Sequence, residues 1–160
     1  MITLDFLENV EVFKDLDDDQ LIQIQQYCQV AEFSRGEKIF SAGEEPQYLW
    51  VVMEGQVTLQ WEMPGSAVLP ESTISRLSEY NTFGWSSLVP PYRYRLSAYC
   101  DTRTCKVLQV EREALIQLFE QNADIGYKVM LKLLSVVGSR FLNLQDEVAR
   151  QRGSDIINQW

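Results

Sequence analysis

Histidine is missing from all 160 residues. That gap removes the Ser-His-Asp and Cys-His triads, His-ligated haem, the usual catalytic zinc sites and the commonest general base. Carboxylate and lysine chemistry are what remain, and no enzyme is expected. Long apolar runs are missing too: none approaches the roughly 18 residues a membrane span needs. The opening Met1-Ile2-Thr3-Leu4-Asp5 has no basic stretch and no small-residue cleavage site, so neither a secretory leader nor a membrane partner is expected, and the cytoplasm is the expected compartment. Cysteine is scarce. Cys28, Cys100 and Cys105 cannot all pair and none belongs to a C-x-x-C motif, which leaves buried, reduced thiols as the expectation. Basic residues are in deficit, with 14 Lys and Arg against 23 Asp and Glu and a net charge of −9. A nucleic-acid partner is not expected of such a chain, because phosphate binding requires a basic patch that releases counterions. Low-complexity linkers and repeats of solenoid length are also absent.

What is present reads as one domain in three zones: helical over residues 1–30, strands and turns over 31–111, helical again over 112–152. In the first zone Asp17-Asp18-Asp19 provides a cap and an acidic first turn for the helix carrying Leu21, Ile22 and Ile24. The same three aspartates lack the alternating ligands, central glycine and distal glutamate of a calcium loop. In the middle zone short runs rich in β-branched and aromatic residues recur between glycines: Lys38–Phe40, Tyr48–Met53, Val57–Trp61 and Thr104–Val110. Many short strands so spaced point to a sandwich, barrel or jelly roll. The stretch Met63–Thr73, with Pro64, Gly65 and Pro70, reads as an exposed hairpin loop.

The third zone breaks at Asn122-Ala123-Asp124, and a long helix capped at Asp124 is expected to follow. Met130, Leu134, Val137, Phe141, Leu144 and Val148 are spaced alternately four and three apart, an a/d seam held for nearly three heptads. Ile125, Val129, Leu133 and Val136 form a second row. Two apolar faces need two surfaces, the helix's own barrel and, most simply, the same helix of a second subunit, so a homodimer is expected.

The segment from Arg35-Gly36-Glu37-Lys38-Ile39-Phe40 through Gly43-Glu44 and Tyr48-Leu49-Trp50-Val51-Val52 to Gly55-Gln56-Val57 closely resembles the first half of a cyclic-nucleotide-binding domain. The resemblance continues through Asn81-Thr82-Phe83-Gly84 and the strand Thr104–Val110 into the C-terminal helices. It implies an α+β fold: a jelly-roll β-barrel flanked by N-terminal helices and a long C-terminal dimerisation helix, of the catabolite-activator effector-domain type. The DNA-binding module of such activators needs several tens of further residues, whereas only Gln151–Trp160 follow here, so none is expected.

In that family the phosphate-binding cassette carries the function. A short helix after a glycine aims backbone N–H groups at the cyclic phosphate, an arginine neutralises it with a forked contact, and a glutamate accepts from the ribose hydroxyl. Phe83, Gly84, Ser86, Ser87 and Leu88 occupy the cassette's opening here, but Trp85 stands at the glutamate position, and an indole is only a donor. Arg95 lies ten residues further on, a spacing that suits the phosphate arginine. Aligning Ser97-Ala98 on the family's Ser-Ala instead puts Leu96 there and removes the arginine. Arg93, Arg95 and Arg103 are either solvated strand-edge residues or the remnant of an anion pocket. Trp85 is either a plug in the vacated ribose space or an aromatic platform for another flat ligand. The expected function is thus a stand-alone regulatory domain with a degenerate pocket and no resident cofactor, acting through dimerisation or a protein partner. The alternative is a sensor binding cyclic AMP, cyclic GMP or another small anion at the Arg95 cassette.

Overall fold

The computed structural model describes residues 1–62 and 73–159. The hairpin loop expected over Met63–Thr73 lies outside the described residues except for Thr73, which opens a strand. Two short helices come first, α1 (Leu4–Leu7) and α2 (Asp18–Gln25). Asp17 caps α2 as expected: its side chain accepts from the Gln20 N–H, while the Gln20 side chain accepts from the Asp17 N–H. Eight strands follow: β1 (Cys28–Ser34), β2 (Lys38–Phe40), β3 (Tyr48–Glu54), β4 (Val57–Gln60), β5 (Thr73–Leu77), β6 (Thr82–Phe83), β7 (Ser97–Cys100) and β8 (Thr104–Glu111). Two helices close the chain, α3 (Arg112–Gln121) and α4 (Ala123–Asn158).

The strands pair antiparallel into two four-stranded sheets, ordered β1-β8-β3-β6 and β2-β7-β4-β5. The jelly-roll expectation therefore takes the form of two facing sheets rather than a hydrogen-bonded closed barrel. Residue alternation explains the layering. Along β3, Trp50 and Val52 turn to the space between the sheets, where they meet Phe40, Val57, Leu59, Phe83, Ala98 and Val107. Leu49 and Val51, with Leu108 and Val110 of β8, turn the other way into a second core shared with the helices. That second face explains why β3 is buried over four consecutive residues, and it is covered by Leu7, Leu21, Ile24, Leu115, Ile125, Val129 and Leu133.

Three local expectations are corrected. The strand zone begins at Cys28, inside the span read as helical, because Cys28–Ser34 pairs with Thr104–Val110 of β8. The cap of α4 is Asn122, whose side-chain oxygen accepts from the Ile125 N–H at 3.4 Å. Asp124 instead accepts from Lys128 at 3.0 Å and from the Gln20 amide at 2.6 Å, bonds that hold its carboxyl below the usual range. The cysteines are not all reduced: Cys100 and Cys105 are joined as a disulfide with Cα atoms 5.8 Å apart. The turn at residues 101–103 folds β8 back on β7, a proximity that a five-residue spacing does not reveal. Cys28 stays free, and burial pushes its thiol up to about 12. Among the described residues, no helix is long and apolar enough to cross a membrane.

Candidate functional site

Strand β6 delivers the cassette by pairing Thr82 and Phe83 with Val51 and Trp50 of β3. Gly84 follows with φ +69°, and a Cβ there would lie 2.6 Å from Trp50 Cδ1 and 3.3 Å from Tyr94 Cε1. Only glycine meets both demands at low cost. Gly84→Ala is expected to lose about 2–3 kcal/mol of stability, from left-handed strain and from displacing packed aromatic rings. Urea denaturation reads the change, and a loss below about 0.5 kcal/mol sinks the close-packing argument.

Past Gly84 the chain makes one short 3-10 helix, Trp85–Ser87. Ser87 and Leu88 are buried, while Trp85 and Ser86 are half-buried. Trp85 packs against the helix-side core and also lines the cavity of the cassette. Tyr94, only 5% exposed, borders the same cavity. Its backbone is stitched to the turn before β3, donating to Glu44 O at 3.2 Å and accepting from the Gly43 N–H at 2.7 Å. Its ring stacks on Phe40 at 3.7 Å between centroids. Its hydroxyl accepts from Trp50 Nε1 and donates to Tyr48 O, both at 3.0 Å. Phe83 stacks on Phe40 and Trp50 behind it. Burial pushes the Tyr94 phenol up to about 12.

The space left beside Tyr94 is about 50 Å³, lined by Phe40, Leu59, Gly84, Trp85, Ser86, Arg95 and Leu96. That is room for a few waters, far short of the roughly 300 Å³ at which drug-sized ligand pockets begin. Arg95 and Leu96 both border this space. Leu96 packs toward the interior between the sheets, whereas Arg95 is exposed at the rim. Ser97 is buried and committed: its hydroxyl accepts from the Ala42 N–H at 2.9 Å and donates to Glu62 at 2.8 Å. Arg93 donates to Gly43 O at 3.1 Å. Arg103 sits in the β7–β8 turn beside Arg35, away from the cassette. The three arginines therefore do not converge on one point. Sequence reading missed Tyr94 and its partners Phe40 and Trp50. The available signal was the pair of tyrosines in Pro91-Tyr92-Arg93-Tyr94-Arg95, dense in aromatics where a ligand cradle needs room.

The seam residues lie where a two-faced helix would put them. Leu134, Phe141, Leu144 and Val148 are 47–68% exposed, Met130 38%, and Val137 is half-buried against the helix-side core. The opposite row, Ile125, Val129 and Leu133, is buried on the domain itself.

Comparison with known proteins agrees with this architecture. The family model for the cyclic nucleotide-binding domain matches residues 30–122. A provisionally named cyclic nucleotide-binding protein from Geobacter metallireducens GS-15 is 28% identical, with a TM-score of 0.76 over 88% of this chain and 99% of that one. The catabolite activator protein of Thermus thermophilus shares the fold at 22% identity and a TM-score of 0.70, over 89% of this chain and 63% of its own. A cGMP-dependent protein kinase of Drosophila melanogaster is 25% identical over 125 residues, 78% of this chain. The chain spans only 13% of that kinase's length.

Proposed function

The chain belongs to the cyclic nucleotide-binding domain family, and from that premise we propose that it is a non-catalytic regulatory domain whose nucleotide pocket its own side chains have filled. Its output then runs through the exposed face of α4, to a second copy of the chain or to a protein partner. One observation carries the reading: the Tyr94 ring is buried beside the cassette, stacked on Phe40 and bonded to Trp50, and the cavity it borders measures about 50 Å³. Two further features support it. Residues 82–98 contain no carboxylate to accept from a ribose hydroxyl. The side chain directed inward before Ser97 is Leu96 rather than an arginine.

Titration calorimetry tests the proposal. Cyclic AMP and cyclic GMP are expected to bind with dissociation constants above about 100 μM or not at all. Losing the acceptor and the charged fork costs about 3 kcal/mol or more, a factor of over 100. A constant below about 10 μM for either nucleotide overturns the filled-pocket reading and restores the sensor.

A further inference from the structure

Two arginines from the C-terminal helices reach back to the cassette, and each donates to a main-chain carbonyl. Arg140 of α4 gives its Nη2 to Thr82 O at 2.7 Å. Arg112, the first residue of α3, gives its Nε to Ser87 O at 2.6 Å. The two carbonyls are five residues apart and straddle the left-handed turn at Gly84. Both guanidinium groups are mostly buried, with side chains 22% and 17% exposed.

Each is backed by further contacts. Glu11 stands behind Thr82: its carboxylate accepts from the Thr82 N–H at 2.9 Å and from Asn81 Nδ2 at 2.8 Å, and lies 3.9 Å from Arg140 Nη2. The peptide at Thr82 is thus gripped on its N–H side by an acid and on its carbonyl side by a cation. Arg112 is held by Glu113 at 2.6 Å and lies over the Tyr92 ring at 4.7 Å, so the loop beyond the short turn rests on it as well. Bonds with one charged partner are shorter and stronger than neutral ones. The guanidinium fork also fixes direction, which a lysine does not.

Arg140 has a special place along α4. Ile125, Val129, Leu133, Val136 and Val137 pack on the domain before it, whereas residues 141–150 are all exposed. It is therefore the outermost described contact between the helix and the domain, where the exposed half of α4 departs.

We propose that Arg112 and Arg140 form a two-point clamp through which α3, α4 and the cassette move as one body, so that the angle of the exposed half of α4 is set by the cassette backbone without any ligand. The clamp stands whether or not the pocket admits a nucleotide, since neither carbonyl belongs to the cavity lining. Coupling of this kind is reciprocal: loosening either grip must loosen the other.

Amide hydrogen exchange by mass spectrometry on the full chain tests it, comparing the wild type with Arg112→Gln, Arg140→Gln, Arg140→Lys and the exposed control Arg150→Gln. Arg140→Gln is expected to raise exchange about tenfold over residues 80–84 and 137–144, and also over 85–89, which Arg140 does not touch. Arg112→Gln is expected to loosen 85–89 and, across the clamp, 137–144. Arg140→Lys keeps the charge but loses the fork, and should give a smaller rise over the same segments. The control should change none of them. If each glutamine variant loosens only the segment of its own carbonyl, the one-body coupling is wrong. If Arg140→Gln raises exchange uniformly through the sheets, Arg140→Lys decides: a rise confined to the clamp segments supports the proposal, and another uniform rise overturns it.

Discussion

Tyr94→Ala is expected to be the most destabilising single change in the cassette, at about 3–5 kcal/mol, because it empties a space on which three aromatic rings close. Phe40, Trp50 and Phe83 pack around the Tyr94 ring in the core between the sheets. Their backbones belong to strands paired on at least one side, so the cavity cannot collapse fully. Against a typical domain stability of about 5–15 kcal/mol, such a loss leaves the variant marginal. Tyr94→Phe separates packing from hydrogen bonding. It keeps the ring but leaves Trp50 Nε1, in a residue only 5% exposed, without its acceptor. That change is expected to cost about 1–3 kcal/mol.

Alkaline pH gives an independent reading of the same side chain. Burial holds the folded phenol up at about 12 rather than at its ordinary 10.0. The unfolded chain therefore releases its proton first, and stability fully present below pH 10 falls as pH rises toward 12, by about 1 kcal/mol at pH 11. Tyr94→Phe should lack this part of the slope. Urea melts at pH 8 and pH 11 on the three proteins settle the matter. A Tyr94→Ala loss below about 1.5 kcal/mol shows that the ring does not fill the pocket.

The barrel strands were legible because they carry a local code: alternation, β-branched residues and glycines at turns, from Arg35 to Val57 and again from Thr104 to Val110. Asp17 was legible as a cap for the same reason, since a capping box is contained within four residues. The two faces of α4 followed from spacing alone. What stayed hidden depends on contacts between distant segments. Tyr94 meets Phe40 and Trp50 across more than forty residues, and Arg140 meets Thr82 across 58. Trp85 stands at a position of chemical meaning, yet it packs on the helix side, and Tyr94, the buried aromatic that borders the same cavity, lies nine positions further on. The disulfide was missed because cysteine spacing says nothing of a turn that brings two Cα atoms to 5.8 Å. Departures from a family motif can be read from sequence, whereas the residue that compensates for them is fixed by packing.

The seam on α4 carries the second large effect. Phe141→Glu is expected to convert an associated wild type into a monomer, weakening self-association more than 100-fold. Leu134, Phe141, Leu144 and Val148 present a row of large apolar groups to solvent, and Tyr127, 68% exposed, extends the alternating spacing one step toward the N-terminus. Exposed rows of this kind mark contact sites, and the three-and-four spacing is that of a helix pairing with its like. In a parallel homodimer the two Phe141 side chains meet near the axis, so one substitution places two like charges together in a site cleared of water. Burying an unpaired charge costs several kcal/mol, and here both protomers incur it. Phe141 and Leu134 are better probes than Val137, because Val137 also packs on its own domain and its loss would mix folding with association. In the monomer Phe141 is 58% exposed, so the variant should keep the far-ultraviolet circular dichroism of the wild type. Light scattering at about 100 μM chain reads the outcome, a concentration well above the dissociation constant of a stable helix pair. A wild type of monomer mass under those conditions removes self-association and leaves a different protein as the partner of the seam. A Phe141→Glu variant that scatters like an associated wild type places the contact on some other face.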